Sequence, residues 1–138
     1  MQARVILPGA ARGRLLRLDE PISFWGGIDP ASGRLTDPSS RHHGCCVKGR
    51  VLMAPATRGS SSSSAVLLQL LHGDLAPAAL ILGAVDAIVG LGILVAGEMG
   101  WPVIPLLTLP PDQQSWFRDG VDTTITVDGR VVATAEEA

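Results

Sequence analysis

Val51-Leu52-Met53-Ala54-Pro55-Ala56-Thr57-Arg58-Gly59-Ser60-Ser61-Ser62-Ser63-Ser64-Ala65-Val66-Leu67-Leu68 passes from an apolar, strand-like run through a glycine and five serines into an apolar run of helical character. Serine-rich linkers sit in polar filler, whereas this run lies between two apolar segments, which makes it a strand-to-helix turn. A helix starting here aims its unpaired amides and several hydroxyls into one small volume, a ready site for an anionic group. Two readings fit the pattern: an active-site loop, and a well-made helix cap with spare serines.

Outward from this turn, Val47 to Ala54 reads as a strand opened by Gly49 and ended by Pro55. A helix follows from about Ser62 to His72, with Val66, Leu67, Leu70 and Leu71 at helical spacing and Gly73 at its C-terminal stop. Pro77 to Gly97 is almost wholly apolar and resembles a membrane span by hydropathy. Asp86 in its middle would cost about 2.5 to 3.5 kcal/mol in a bilayer, and Gly83, Gly90 and Gly92 interrupt it. The segment reads better as a buried strand (Ala78 to Leu82), a turn, and a buried helix from about Asp86 to Ala96. A strand over Val103 to Leu107 completes a strand–helix alternation, which predicts parallel neighbours. Val5 to Leu7 and Arg14 to Leu18 have the spacing of a small β-meander. Thr123 to Val127 and Val131 to Thr134 flank Asp128-Gly129, a strong hairpin signal.

The chain has 138 residues, the size of one domain, so residues 1–138 are expected to form a single unit. Charged residues make up only 17% and the net charge is -2, which leaves no basic footprint for nucleic acid. The 16 glycines and 10 prolines, with no tyrosine, suit compact α/β layers joined by tight loops. The expected fold is therefore α/β, either β/β/α layered or barrel-like. Cys45 and Cys46 are adjacent and have no partners at zinc-site spacing, so they read as reduced thiols and no metal is assigned to this chain. Pro8 and Gly9 cut short the apolar N-terminus, which argues against a secretory signal and for a cytoplasmic setting.

Serine needs a neighbouring base or an electrophilic setting to lose its proton. The candidates are His42, His43, His72 and, as an electrostatic partner, Arg58. His72 falls at the far end of the predicted helix, no Gly-x-Ser-x-Gly elbow is present, and the loop lacks a P-loop lysine. What remains is a hydroxyl-rich helix start that holds a carboxylate or acts on a carbon acid. Phe24-Trp25-Gly26-Gly27-Ile28-Asp29-Pro30, then Ser32-Gly33, sets two large aromatics against a double glycine. That run is either a close approach to a ligand or a hairpin whose aromatics cap the core.

Pro21-Ile22-Ser23-Phe24-Trp25-Gly26-Gly27-Ile28-Asp29-Pro30, Ser32-Gly33, Gly44, Arg58-Gly59-Ser60-Ser61-Ser62 and Ala76-Pro77-Ala78-Ala79 occur in this order at compatible spacings. From about Ala3 to Leu107 the chain resembles the small subunit, or swivelling domain, of aconitase X hydro-lyases. The resemblance implies a fold like aconitase domain 4, and a dehydratase whose large subunit holds an iron–sulfur cluster and most contacts to a small carboxylate substrate. It implies a heterodimer active only with that large partner, and neither a membrane nor nucleic acid as partner.

By the same resemblance Ser60 is the catalytic base and Ser61 a neighbour on a substrate carboxylate. Arg58, Gly59, Ser62, Phe24, Trp25, Gly26 and Gly27 complete the substrate-binding set. Ser62 stands where other aconitases carry an arginine, which implies a substrate with fewer acidic groups. Of the family's two substrates, the long serine run favours cis-3-hydroxy-L-proline over phosphomevalonate. A non-catalytic module with the same fold, gripping an anion for regulation or assembly, is the alternative from a different functional class.

Overall fold

The structure, a computed structural model, describes residues 1–58 and 62–133. Its strands are β1 (Arg4–Leu7), β2 (Ala11–Arg17), β3 (Val51–Ala54), β4 (Ala79–Leu82), β5 (Leu106–Thr108), β6 (Asp122–Ile125) and β7 (Val131–Ala133). The helices are α1 (Phe24–Gly27), α2 (Ser63–His72), α3 (Ala87–Glu98) and α4 (Pro111–Gln114). The strands form one sheet in the order β1-β5-β4-β3-β2-β6-β7. β2, β3, β4 and β5 run parallel, as the strand–helix alternation predicts, whereas β1 and β6 lie antiparallel to their neighbours.

The sheet curls back on itself. Gln2 bridges Arg130, Val131 N donates to Met1 O at 2.8 Å and Ala3 N to Gly129 O at 2.9 Å, so the chain ahead of β1 meets the far edge at β7. A curled sheet has an inside and an outside, and the period-two alternation of its strands fills both. Leu15, Val51, Met53, Ala79, Ile81 and Leu107 point inward with Phe117, Val121 and Ile125. Their sequence neighbours Leu16, Leu52, Leu80, Leu82 and Leu106 point outward against Leu67, Leu70 and Leu71 of α2 and Val89 and Ile93 of α3. Strands buried on both faces explain the unbroken apolar runs at Val51–Ala54 and Ala79–Leu82.

The Pro77 to Gly97 segment is β4, a turn and α3, and none of the helices is long and apolar enough to cross a membrane among the described residues. Four expectations need correction. The N-terminal strands form no meander: both edges of β2 are taken, by β3 and β6, so β1 pairs with β5 instead. The Val47 to Ala54 strand begins only at Val51, because Arg50 N bonds back to Val47 O in a turn. The strand expected at Val103 starts at Leu106, after Pro102 and Pro105, neither of which can donate to a ladder. The Phe24–Gly27 run is a single turn, not a hairpin strand, with Ile28 bridging Leu35 beyond it. The Asp128-Gly129 hairpin forms between β6 and β7; Thr134, its expected last residue, lies outside the described residues.

The C-terminal ends of β3 and β4 are packed backbone to backbone. Gln114, buried on α4, donates to Ala54 O and Leu109 O, both at 2.9 Å, which pins α4 across these ends. At Gly83 an added methyl would sit 1.9 Å from Pro55 O, a rigid backbone atom. Gly83→Ala is expected to destabilise the fold by about 1–3 kcal/mol, as overpacking does. Urea unfolding should show a lower midpoint with an unchanged slope.

Candidate active site

The predicted active loop leaves the sheet at the C-terminal end of β3. Its approach is fixed by a parallel bridge: Ile22 N donates to Ala56 O at 3.0 Å and Arg58 N donates to Ile22 O at 2.8 Å. Ile22 is buried in the outer core, and Phe24, two residues on, is fully buried there as well. This pairing carries the Ser23-Phe24-Trp25-Gly26-Gly27 run to the side of Thr57 and Arg58.

Phe24 therefore packs as an anchor and offers no surface to a ligand. Trp25, with 65% of its surface exposed, is turned outward. Trp25 leaves helical dihedrals (φ -82°, ψ 112°), and the turn that follows it needs Gly26, whose φ of 82° is open to glycine and strained for other residues. Two side-chain bonds hold the turn: Ser23 Oγ to Trp25 O at 2.5 Å, and Thr36 Oγ1 to Gly26 O at 2.8 Å. Thr36 N also donates to Gly27 O at 3.0 Å.

A concavity of about 420 Å³ opens beside this turn, its polar lining supplied by Glu20, Ser23, Asp37, Ser40 and Arg58, with Gly27 on its wall. Ser40 Oγ donates to Glu20 Oε1 at 2.8 Å. The Asp37 carboxyl is held below its ordinary pKa chiefly by the Ser39 hydroxyl, then by the Ser39 amide, with the Arg58 charge contributing less. A carboxyl lowered in this way lends its stability above its ordinary pKa and loses it as pH falls through the lowered one.

Beyond the loop, Ser62 already has helical dihedrals (φ -66°, ψ -15°), and its carbonyl accepts from Ala65 N at 3.1 Å and Val66 N at 3.3 Å. The loop's near side is braced from α3. Asp86 caps that helix, accepting from Ile88 N at 2.9 Å and Val89 N at 3.1 Å, and its other carboxylate oxygen accepts a short hydrogen bond from Thr57 Oγ1. One carboxylate thus fastens the start of α3 to the residue before Arg58.

Among the predicted site residues, Gly27 and Arg58 line the concavity, Trp25 and Gly26 line a second hollow with Val66 of α2, and Ser62 stands at the head of α2. Gly59, Ser60 and Ser61 lie outside the described residues. Two histidines are placed elsewhere: His42 Nε2 lies 3.0 Å from Arg17 O and 3.3 Å from Asp119 Oδ2, and His72 packs on Trp101 in the last turn of α2; His43, whose N donates to Ser40 O at 3.1 Å, lies on the Asp37 side of the concavity. Arg41 and Lys48 pair with Asp19 and Asp74. The reading of the sequence missed Glu20, Asp37, Ser40, and the Thr57–Asp86 link. Asp86 had a signal, an aspartate directly before an apolar helix; the others come together only through the Ile22 bridge.

The donor set does not fit an iron–sulfur cluster. Cys46 Sγ is directed to Ser32 O at 3.5 Å, Cys45 packs on the outer core, and no three His, Cys, Asp or Glu side chains gather among the described residues.

Residues 1–134 match the family described as the aconitase X swivel domain. The chain is 42% identical over 109 residues to the cis-3-hydroxy-L-proline dehydratase of Pseudomonas aeruginosa, covering 77% of this chain and only 18% of that protein's length. It is 34% identical over 129 residues to the phosphomevalonate dehydratase small subunit of Methanothermobacter thermautotrophicus, covering 93% of this chain and 94% of the relative. The crystal structure of Thermococcus kodakaraensis aconitase X in its holo-form superposes with a TM-score of 0.83 at 29% identity, covering 98% of this chain and 97% of that one.

Removing the Asp86 carboxylate deletes a helix cap and the tie to Thr57 together. Asp86→Ala is expected to cost about 0.5–2 kcal/mol, the range for a lost cap. Thr57→Val removes only the tie, and chemical denaturation should find it the milder of the two.

Proposed function

We propose a reading that proceeds from one fact: the chain belongs to the aconitase X swivel-domain family. In this reading residues 1–138 act as one swivel domain, the small part of an aconitase X-type dehydratase, and work as a heterodimer with a large catalytic chain. The substrate is cis-3-hydroxy-L-proline, and Ser60 is the base that takes the proton from the carbon bearing the carboxylate. Hydroxide leaves the adjacent carbon, a double bond forms between the two carbons, and tautomerisation gives a pyrroline-2-carboxylate. The iron–sulfur cluster implied by the resemblance belongs to the large chain, since the thiols here make no ligand set. The cytoplasm, which keeps Cys45 and Cys46 reduced, suits this enzyme.

The observation that carries the reading is the Ile22–Thr57 bridge, which fixes the Trp25-Gly26-Gly27 turn and Arg58 beside the entrance of the serine loop. Carbon–proton abstraction needs a base held within hydrogen-bond reach in a site closed to water. A turn anchored on both strands and a helix start behind it supply the rigid part of such a lid. Ser61, Gly59 and Ser62 are assigned to the substrate carboxylate, for which helix amides and hydroxyls are suitable donors. Trp25, Gly26 and Gly27 are assigned to the rim that closes over the ring, and Phe24 supports them from the core.

The choice of substrate rests on charge as well as on identity. Among the described residues Arg58 is the one cation lining the concavity, and Glu20 and Asp37 line the same space. A phosphate dianion calls for more positive charge than that, whereas a hydroxyproline carries a single carboxylate and a ring ammonium. Dehydration of phosphomevalonate is the second reading, favoured by the full-length match to the archaeal small subunit.

Ser60→Ala in the assembled enzyme is expected to lower kcat on the order of 10²–10⁴-fold, as loss of a general base does, while the heterodimer elutes unchanged. Unchanged turnover would contradict the assignment and favour an anion-gripping module.

A further inference from the structure

α3 is apolar nearly all round, with Glu98, its last residue, the single ionisable side chain in Ala87–Glu98. One face is accounted for: Val89, Ile93 and Ala96 are buried against the sheet and α2. The opposite face is also apolar, with Val85, Ile88, Leu91, Leu94, Val95 and Met99 all exposed, Leu91 by 58% and Met99 by 57%. Ile88, Leu91, Val95 and Met99 recur at three- and four-residue steps, which lines them up as a second stripe along the helix. The stripe continues into a groove of about 550 Å³ where Leu94 faces Leu7, Pro8 and Val103. A helix with two apolar faces is built for burial on both sides, and a soluble monomer rarely leaves so continuous an apolar surface in water.

We propose that this outward face of α3 is the seat of the large catalytic chain. The inference rests on the heterodimer reading above and adds the surface that forms it. Two observations commit the seat to that occupant. The same domain occurs as a separately made small subunit and as 18% of a much longer single polypeptide, so in the second relative the rest of the protein is tethered to this domain. The stripe also begins at the candidate site: Asp86, between Val85 and the first turn of α3, is hydrogen-bonded to Thr57, one residue from Arg58. A chain that covers Thr57 and Arg58 reaches Asp86 and the exposed Val85 and Ile88 on either side of it. The lack of charge along the stripe suits a permanent, apolar interface better than a transient polar one.

The test uses the full chain co-expressed with the large dehydratase chain of the same genome. Leu91→Glu and Leu94→Lys, both at exposed positions, should keep the wild-type circular dichroism and melting temperature while weakening the heterodimer at least tenfold in a titration. A photo-crosslinking residue at position 91 should capture the large chain in the otherwise wild-type complex. If wild type binds the large chain and both variants bind it equally tightly, the seat is elsewhere and the function reading stands. If wild type does not bind it at all, the heterodimer reading falls and takes the occupant with it. Crosslinking at 91 to a second copy, or flotation of the wild-type chain with anionic vesicles in the presence of the large chain, would overturn the proposal in favour of those occupants.

Discussion

Two backbone hydrogen bonds, from Ile22 to Ala56 and from Arg58 to Ile22, set the arrangement of the candidate site. They extend the sheet past the end of β3 by one bridge and lay the start of a long excursion, residues 20–47, beside Thr57 and Arg58. Without them the Phe-Trp-Gly-Gly turn and the loop would be two unrelated surface features. With them, Phe24 is driven into the outer core and Trp25 is turned outward. The clamp is cheap in local terms, since each bond contributes on the order of 1 kcal/mol net. Burial of Ile22 and Phe24 on either side of it supplies most of its strength.

The parts of the fold carried by local patterns were legible in the sequence. Val66, Leu67, Leu70 and Leu71 at helical spacing, with Gly73 after them, gave α2 almost to the residue, and Asp128-Gly129 marked the last hairpin. Ala79–Leu82 was recognisable because a strand buried on both faces shows an unbroken apolar run. Partner choice was not legible. β1 and β2 are adjacent in sequence and belong to different parts of the sheet, because pairing is decided by which edges remain open once β3, β4 and β5 have stacked in parallel. No local pattern encodes that.

The candidate site divides in the same way. The serine run, Arg58 and the glycine pair stand out in composition, and the structure sets Arg58 and Gly27 on one concavity and Trp25 and Gly26 on another. Phe24 could not be separated from Trp25 by type; they part because the backbone leaves helical dihedrals at Trp25, with Phe24 buried and Trp25 exposed. Glu20 and Asp37 gave no signal at all: ordinary acidic residues in polar stretches become the lining of a concavity only after the excursion folds back on Ile22. The hydropathy of the Asp86 to Ala96 segment reads as a buried helix, and the structure corrects this, since Ile88, Leu91, Leu94 and Val95 are exposed. The sheet and α2 cover only one of the two faces.

As proposed above, this chain closes over the site of a hydroxyproline dehydratase and is inert without a large partner that carries the remaining chemistry. The most direct measurement is turnover of cis-3-hydroxy-L-proline and of phosphomevalonate by the purified chain, by the large chain, and by the two combined. The account predicts product only from the combination and only from the hydroxyproline. Dehydration by the 138-residue chain alone, or a combined enzyme that prefers phosphomevalonate, would contradict it.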